Sequence, residues 1–320
     1  SSFLAQAGVA GSHGYGSFDV DTAGNWTYSA ANAQAAIQTL AAGATLSDSF
    51  TATSADGSAS QIVTVTITGT NDIPLIGGTV SGGVTEDQGV VGGNLTTSGT
   101  LTVADVDNGE AAFLVQAGTA GSNGHGTFTL DAAGNWSYSA GNVQAAIQQL
   151  AAGATLTDSF TAVSADGSAS QIVTVTITGS NDIPVIGGVV SGGVTEDTAV
   201  VGGNLVTGGT LTVVDIDSGQ SSFLAQAGVA GSHGYGSFSI DAGGNWTYSA
   251  ANAQAAIQNL AAGATLTDSF TATSADGSAT QLVTVTLTGS NDLAVLGGTV
   301  SGGVTEDSAV VGGNLVTGGT

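Results

Sequence analysis

No lysine and no arginine stand against the 24 aspartates and glutamates of this 320-residue sequence, whose formal net charge is −24. Ion pairs with either basic residue are therefore impossible. Nucleic acid is excluded as a partner, because its binding depends on basic side chains that neutralise phosphates. An anionic membrane surface is disfavoured for the same reason. Cysteine is absent as well, so no disulfide staples the fold. That fits the cytosol, or a secreted protein held together by something else, such as a metal. No apolar run reaches the roughly 18 residues of a membrane span, so direct membrane insertion is not expected. The chain opens in mid-repeat at Ser1, without a signal peptide. Only two prolines accompany 52 glycines, which favours tight β-turns over a collagen or a proline-rich linker.

Charged residues make up only 8% and hydrophobic ones 41%, with a mean hydropathy of +0.30. This is not a disordered polyanion, and the length suits two to three domains. Comparing the chain with itself locates them. SSFLAQAGVAGSHGYGSF at 1–18 recurs as AAFLVQAGTAGSNGHGTF at 111–128 and verbatim at 221–238, a period of 110 residues. That is too long for a solenoid unit and right for an immunoglobulin-sized sandwich. Each repeat closes on an Asn-Asp corner: TGTNDIPLIGG at 68–78, TGSNDIPVIGG at 178–188 and TGSNDLAVLGG at 288–298. Boundaries at that corner give complete repeats at 73–182 and 183–292. Residues 1–72 then lack their first strands, and 293–320 are the opening strands of a further repeat.

Within 73–182 the pattern predicts strands over 99–106, 113–118, 127–131 and 135–139, with Trp136 and Tyr138 on one face. Val143, Ala146, Ile147 and Leu150 recur at helical spacing, predicting a short amphipathic helix over 142–150 that Gly153 stops. Segments 156–164 and 171–178 read as a hairpin turned by Asp166-Gly167. In its second strand Val173, Val175 and Ile177 share one face, and the intervening threonines take the other. The fold class is all-β: tandem Ig-like or cadherin-like antiparallel β-sandwiches of about 110 residues, each with one short helix.

Catalysis finds no support. His13 and His233 lie in GSHGYG loops, where the middle repeat has Asn123 and moves its histidine to 125. No Gly-x-Ser-x-Gly elbow has a histidine partner, and the Gly-rich loops lack a phosphate-binding lysine. Trp26, Trp136 and Trp246 could stack on sugars, but one tryptophan per sandwich reads as core. The acids carry the chemistry. Asp105-Val-Asp107 and Asp215-Ile-Asp217 continue the inward parity of their strands and end it in two adjacent carboxylates. Such pairs repel unless a cation joins them, and Ca²⁺ takes six to eight oxygens from carboxylates, amides and carbonyls. The corners Asn71-Asp72, Asn181-Asp182 and Asp292 and the pairs Glu86-Asp87, Glu196-Asp197 and Glu306-Asp307 offer further oxygens. Mg²⁺ suits such a site less well, and zinc is disfavoured by three histidines and no cysteine. Asp131 and Asp166 read as turn formers. Asp158, inside a strand, is a weak candidate ligand.

The combination of VTEDTAVVGGNLVTGGTLTVVDIDSG (194–219), GSFSIDAGGNWTYSA (236–250) and LAAGATLTDSFTATSADGSATQLVTVTLTGSND (260–292) resembles the VCBS repeat. That module occurs in very large bacterial surface proteins, including type I-secreted RTX adhesins. The resemblance implies sandwiches strung in tandem and stiffened by Ca²⁺ at Asp72, Asp182, Asp292, Glu86, Asp87, Glu196, Asp197, Asp105, Asp107, Asp215 and Asp217. It implies an extracellular, cell-surface extender without enzyme activity, whose adhesion ligand is bound by other domains. Ala294, in place of proline at the third corner, implies a softer hinge there. The alternative is a filament or matrix fibre whose repeats assemble themselves. In either case the partners are neighbouring repeats or chains, head to tail, with 293–320 of one completing 1–72 of the next.

Overall fold

Alternation of valine or isoleucine with threonine makes Ser170–Thr178 a strand that keeps one face dry, with Val173, Val175 and Ile177 all buried. It pairs antiparallel with Thr155–Val163, and the Asp166-Gly167 turn closes the hairpin. The computed structural model describes residues 1–320 and divides into two units, Ser1–Asp182 and Ile183–Thr320.

In 73–182 two sheets face each other. One has the order Leu75–Gly78, Asn94–Ala104, Asn135–Gly141, Thr127–Leu130, Gln116–Ala120; the other is Thr155–Val163, Ser170–Thr178, Ser81–Thr85. Every pair is antiparallel except one. The second strand, Ser81–Thr85, lies parallel to the closing strand Ser170–Thr178, with Ser81 opposite Thr174 and Thr85 opposite Thr178. The core between the sheets includes Leu95, Leu101, Phe128, Trp136, Tyr138 and Phe160. Trp136 donates its indole N–H to the Thr79 carbonyl at 2.8 Å. The ring lies so close to the backbone that a Cβ on Gly99 would sit 2.7 Å from its Cζ2 atom. Residues 183–292 repeat this arrangement around Trp246 and Tyr248.

Three local expectations are corrected. The helix is only Ala145–Gln148; Gln144 is extended (ψ 130°) and Val143 is 85% exposed. The Asn142 side chain is drawn away to Asp87, and Gln144 donates to the His125 carbonyl at 2.7 Å, so the entry to the helix stays extended. The strand expected at 113–118 begins at Gln116, because Phe113 alone turns into the core while Leu114 and Val115 face solvent. Asp158 is not a ligand. It is fully buried and accepts from the backbone N–H groups of Asn123 (2.9 Å), His125 (3.1 Å), Gly126 (3.0 Å) and Ser159 (3.1 Å), and from the Tyr138 hydroxyl (3.3 Å). The Gly-rich turn 121–126 is thus wrapped around one carboxylate. A Cβ on Gly121 would lie 2.1 Å from it. Burial, reinforced by the Asp158 charge, pushes the Tyr138 phenol well above its ordinary range.

In 1–72 the strands Gln6–Ala10, Gly16–Val20 and Trp26–Ala30 and the hairpin Thr45–Thr53, Ser60–Thr68 keep a small core of Phe18, Val20, Phe50 and Ala52. Residues 293–320 are exposed and carry two-residue strands at Val310–Val311 and Asn314–Leu315. No helix is long and apolar enough to cross a membrane.

Asp158→Ala should strand several buried N–H donors at about 1–3 kcal/mol each. We expect a loss of about 3–5 kcal/mol from the unit containing 73–182, read as an earlier urea transition. Asp131→Ala, at an exposed turn, should cost about 1 kcal/mol or less. Equal losses would show that the buried carboxylate does not organise the turn.

Candidate metal centres

The parallel strand pair decides where the first acids go. Because Ser81–Thr85 and Ser170–Thr178 run the same way, both leave the sheet at one pole. Glu86 follows the first strand, and Ser180 to Asp182 follow the second. Glu86 is fully buried; its N–H donates to the Thr178 carbonyl at 2.8 Å, and its Oε2 accepts from the Ser180 N–H at 3.2 Å. Asp87 has left-handed backbone (φ 56°), a conformation aspartate tolerates better than most residues. It is clasped by Asn142: the Asp87 N–H donates to Asn142 Oδ1 at 3.1 Å, and Asp87 Oδ1 accepts from Asn142 Nδ2 at 2.6 Å and Gln148 Nε2 at 3.2 Å. One carboxylate oxygen each of Glu86, Asp87 and Asp182 lie within 4.8 Å of one another.

Glu196, Asp197 and Asp292 form the same cluster in the second unit. Glu196 is 1% exposed. Its Oε2 accepts from the Ser290 N–H at 3.1 Å, while its buried Oε1 has no hydrogen-bond partner. The Asn252 and Gln258 amides hold the Asp197 carboxyl below the usual range.

At the opposite pole the 11-residue strand Asn94–Ala104 runs out into Asp105-Val-Asp107. The Asp107 N–H donates to Asp105 Oδ1 at 3.0 Å. Asp107, 2% exposed, accepts the Asp72 N–H on Oδ2 at 2.8 Å. The neighbouring Asn71 amide donates to Asp166 Oδ2 at 3.0 Å. The Asn71-Asp72 corner is thereby fastened to the repeat that follows it. Asp105, Glu110 and Asp166 each bring one oxygen within 4.8 Å of the others. Asp105 Oδ2, Asp107 Oδ1, Glu110 Oε2 and Asp166 Oδ1 are buried atoms without a hydrogen-bond partner. The Ser164 and Ser168 hydroxyls, with the Asn71 amide, keep the Asp166 carboxyl well below the usual range. Burial, then the charges of Asp107, Asp105 and Asp166, push the Glu110 carboxyl up. In the second unit the Asp217 N–H meets Asp215 Oδ1 at the same 3.0 Å, and Asp217 is 1% exposed.

The expected ligands are thus divided. Asn71 and Asp72 meet Asp107 and Asp166; Glu86 and Asp87 meet Asp182. Within 73–182 the Glu-Asp pair does not join Asp105 and Asp107, because an 11-residue strand spanning about 35 Å separates the poles. Asn181 turns its corner as Asn71 does, with Nδ2 2.8 Å from the Asp182 carbonyl. Glu306 and Asp307 are exposed. Asp166, a turn former by its sequence, is also a member of the cluster. An Asp-Gly dipeptide signals a turn equally well with or without a second role, so spacing could not separate the two. Glu110, Asn142 and Gln148 carried no motif.

What the poles can do follows from their donors. Hard oxygen ligands converge, several lack any donor, and no lysine or arginine exists to answer them. The residues present fit a calcium-like cation.

The sequence profile described as the bacterial cadherin-like domain matches residues 71–179 and 181–289. No curated protein matches the chain. Among solved structures the chain is similar to PcdhgB3 EC1-4, at 16% identity and a TM-score of 0.42 over 87% of this chain and 65% of that one. It is similar to the Protocadherin Gamma B2 extracellular cadherin domains 1-5, at 11% identity and 0.45 over 92% and 53%. Mouse clustered PcdhgC3 EC1-3 gives 10% identity and 0.40 over 86% of each chain. The chain spans about half to two thirds of the length of the first two.

In the absence of cation, Glu110 should weaken the fold at neutral pH. Its folded carboxyl is raised above the ordinary value of 4.5, so the folded state holds that proton more tightly than the unfolded chain does. Stability from this group is present at low pH and is lost as pH rises through the raised value. Glu110→Gln should raise the chelator-treated melting temperature at pH 7 by about 1–2 °C, a gain that vanishes near pH 4. Calorimetry showing no gain, or one that persists in acid, would contradict the crowding of these carboxylates.

Proposed function

Because this chain belongs to the family of bacterial cadherin-like domains, we propose that it is an extender segment of a large extracellular bacterial adhesin of the VCBS type, stiffened by Ca²⁺. Cadherin-like repeats are structural modules without enzyme activity. The division into 1–72, 73–182, 183–292 and 293–320 is part of this reading, as are a cell-surface location and an adhesion ligand bound by other domains of the parent protein.

One observation carries the calcium reading. Asp107, almost wholly buried, accepts the backbone N–H of the Asn71-Asp72 corner on one oxygen and leaves the other without a donor. Burying an uncompensated carboxylate costs several kcal/mol, and this sequence contains no basic side chain to pair with it. Bound Ca²⁺ supplies the missing positive charge. Asp105, Asp107 and Asp166 would hold it at the entry pole, with the Asn71-Asp72 corner tied to the same groups. Glu86, Asp87 and Asp182, and likewise Glu196, Asp197 and Asp292, would hold it at the exit poles. The entry-pole cluster joins the end of one repeat to the body of the next, so an ion there stiffens the 72/73 joint while it stabilises the fold.

A second reading, assembly of repeats or chains head to tail into a fibre, rests on Trp26. It is 45% exposed, whereas Trp136 is covered by Thr79, Gly82 and Gly99. The positions matching these are Thr299, Gly302 and Gly319, all exposed. A segment with the sequence of 293–320, from a preceding repeat or a neighbouring copy, has the residues to cover Trp26 by strand addition.

Two experiments test these readings. Excess chelator should lower the melting temperature by on the order of 10 °C, the loss of about 2.7 kcal/mol expected at a hundredfold excess of ion over Kd. Small-angle scattering should show greater flexibility in the same sample. An unchanged melt would overturn the calcium reading. For the fibre, sedimentation should show concentration-dependent association that Trp26→Ala weakens; a monomer at all concentrations would overturn it.

A further inference from the structure

The two entry poles differ at one ligand position. Residue 110 is glutamate in the first complete repeat, and residue 220 is glutamine in the second. The loops that present them are the same. The Glu110 N–H donates to the Asp107 carbonyl at 3.3 Å, as the Gln220 N–H does to Asp217; the Ala112 and Ser222 N–H groups donate back to the carbonyls of 110 and 220 at 2.7 Å each. What changes is the chemistry of the side-chain tip. Glu110 brings a carboxylate oxygen within 4.8 Å of Asp105 and Asp166. Its buried Oε2 and the unpartnered Oδ1 of Asp107, a side chain 2% exposed, both lack a donor. Gln220 presents a buried amide oxygen without a partner, so the position stays oxygen-lined but loses its charge.

We propose that Glu110 is a direct Ca²⁺ ligand that makes the Asp105–Asp107–Glu110–Asp166 pole the tighter of two related sites, so that the entry poles fill in sequence as calcium rises. The inference rests on the calcium reading above. The physical argument is one of charge count. Repulsion among the carboxylates is present before and after an ion binds, so it largely cancels in the binding step. The attraction between a dication and the additional carboxylate, at the 2.3–2.6 Å of a calcium–oxygen bond, appears only on binding. A neutral amide oxygen can occupy the same position but contributes only its dipole. Ligand charge count is one of the quantities that sets calcium affinity. The joint at 72/73 therefore stiffens at a lower calcium concentration than the Gln220 pole requires to fill.

The test is calorimetric titration of the 320-residue chain with CaCl₂ at fixed ionic strength, for the natural sequence, Glu110→Gln and Gln220→Glu. The natural chain should show a tight class of site that Glu110→Gln weakens by about tenfold, in keeping with the dependence of affinity on ligand charge. Gln220→Glu should add a second site to that class. Glutamine already occupies this loop in the second repeat, so Glu110→Gln leaves the fold intact, and Gln220→Glu tests the same claim in the opposite direction. Calcium binding that neither substitution changes would overturn this inference and leave the calcium reading standing. No calcium binding by the natural chain would overturn both.

Discussion

Every carboxylate in this protein must be answered without lysine or arginine, and the fold depends on how each one is answered. Asp48, Asp158 and Asp268 lie fully buried and are satisfied by backbone N–H groups. Asp158 has four of these and a tyrosine hydroxyl. Hydrogen bonds to a charged group contribute about 1.5–3 kcal/mol each, enough together to offset the burial of one charge. The Gly-rich turn exists to supply those donors. The polar clusters are the reverse case. Asp105, Asp107, Glu110 and Asp166 each keep a buried oxygen that no donor reaches. The protein thus satisfies its strand-borne acids with its own backbone, and leaves oxygens without a donor at the poles.

The single parallel strand pair explains why the second kind of cluster closes on itself. Were these two strands paired antiparallel, the segments that follow them would leave the sheet at opposite poles. Pairing Ser81–Thr85 parallel to Ser170–Thr178 brings Glu86 and Asp182, 96 residues apart, to the same end. A cation held there would tie Glu86 to Asp182, and such long-range closure removes the most freedom from the unfolded chain. The other pole collects a different set, the end of the long strand and the hairpin turn at Asp166. Each repeat therefore carries two chemically distinct ends.

Much of this was legible in the sequence, and the gaps have physical causes. Period-two alternation placed Val173, Val175, Ile177, Trp136 and Tyr138 inside, because a strand with one dry face has no other way to be written. The Asp131 turn was legible for a similar reason: its carboxylate accepts from Asn135 four residues on, a local contact. Contacts between distant residues were not legible. Asp158 takes three of its five donors from more than 30 residues away, so an aspartate inside a strand looked like a misplaced charge or a ligand. Val143 matched a helical period by chance, and the pull of Asp87 on Asn142 kept that turn from forming. The acidic motifs stood out as candidate ligands, but their assortment into poles required the strand order, which periodicity does not encode.

The two complete repeats locate where function varies. Their cores differ at matched positions by exchanges such as Leu130 for Ile240 and Ile177 for Leu287, volume-conserving changes that cost little. The aromatic stacking is the same to within a few degrees, with Phe128–Phe160 and Phe238–Phe270 centroids both at 4.6 Å. At the entry poles, in contrast, a carboxylate becomes an amide and Ala111 becomes Ser221, whose hydroxyl accepts the Asp215 N–H at 3.0 Å. Two bodies with interchangeable cores have closely similar intrinsic stability. The exchange that alters charge therefore falls at the poles, where one side chain changes the charge count without disturbing the sandwich.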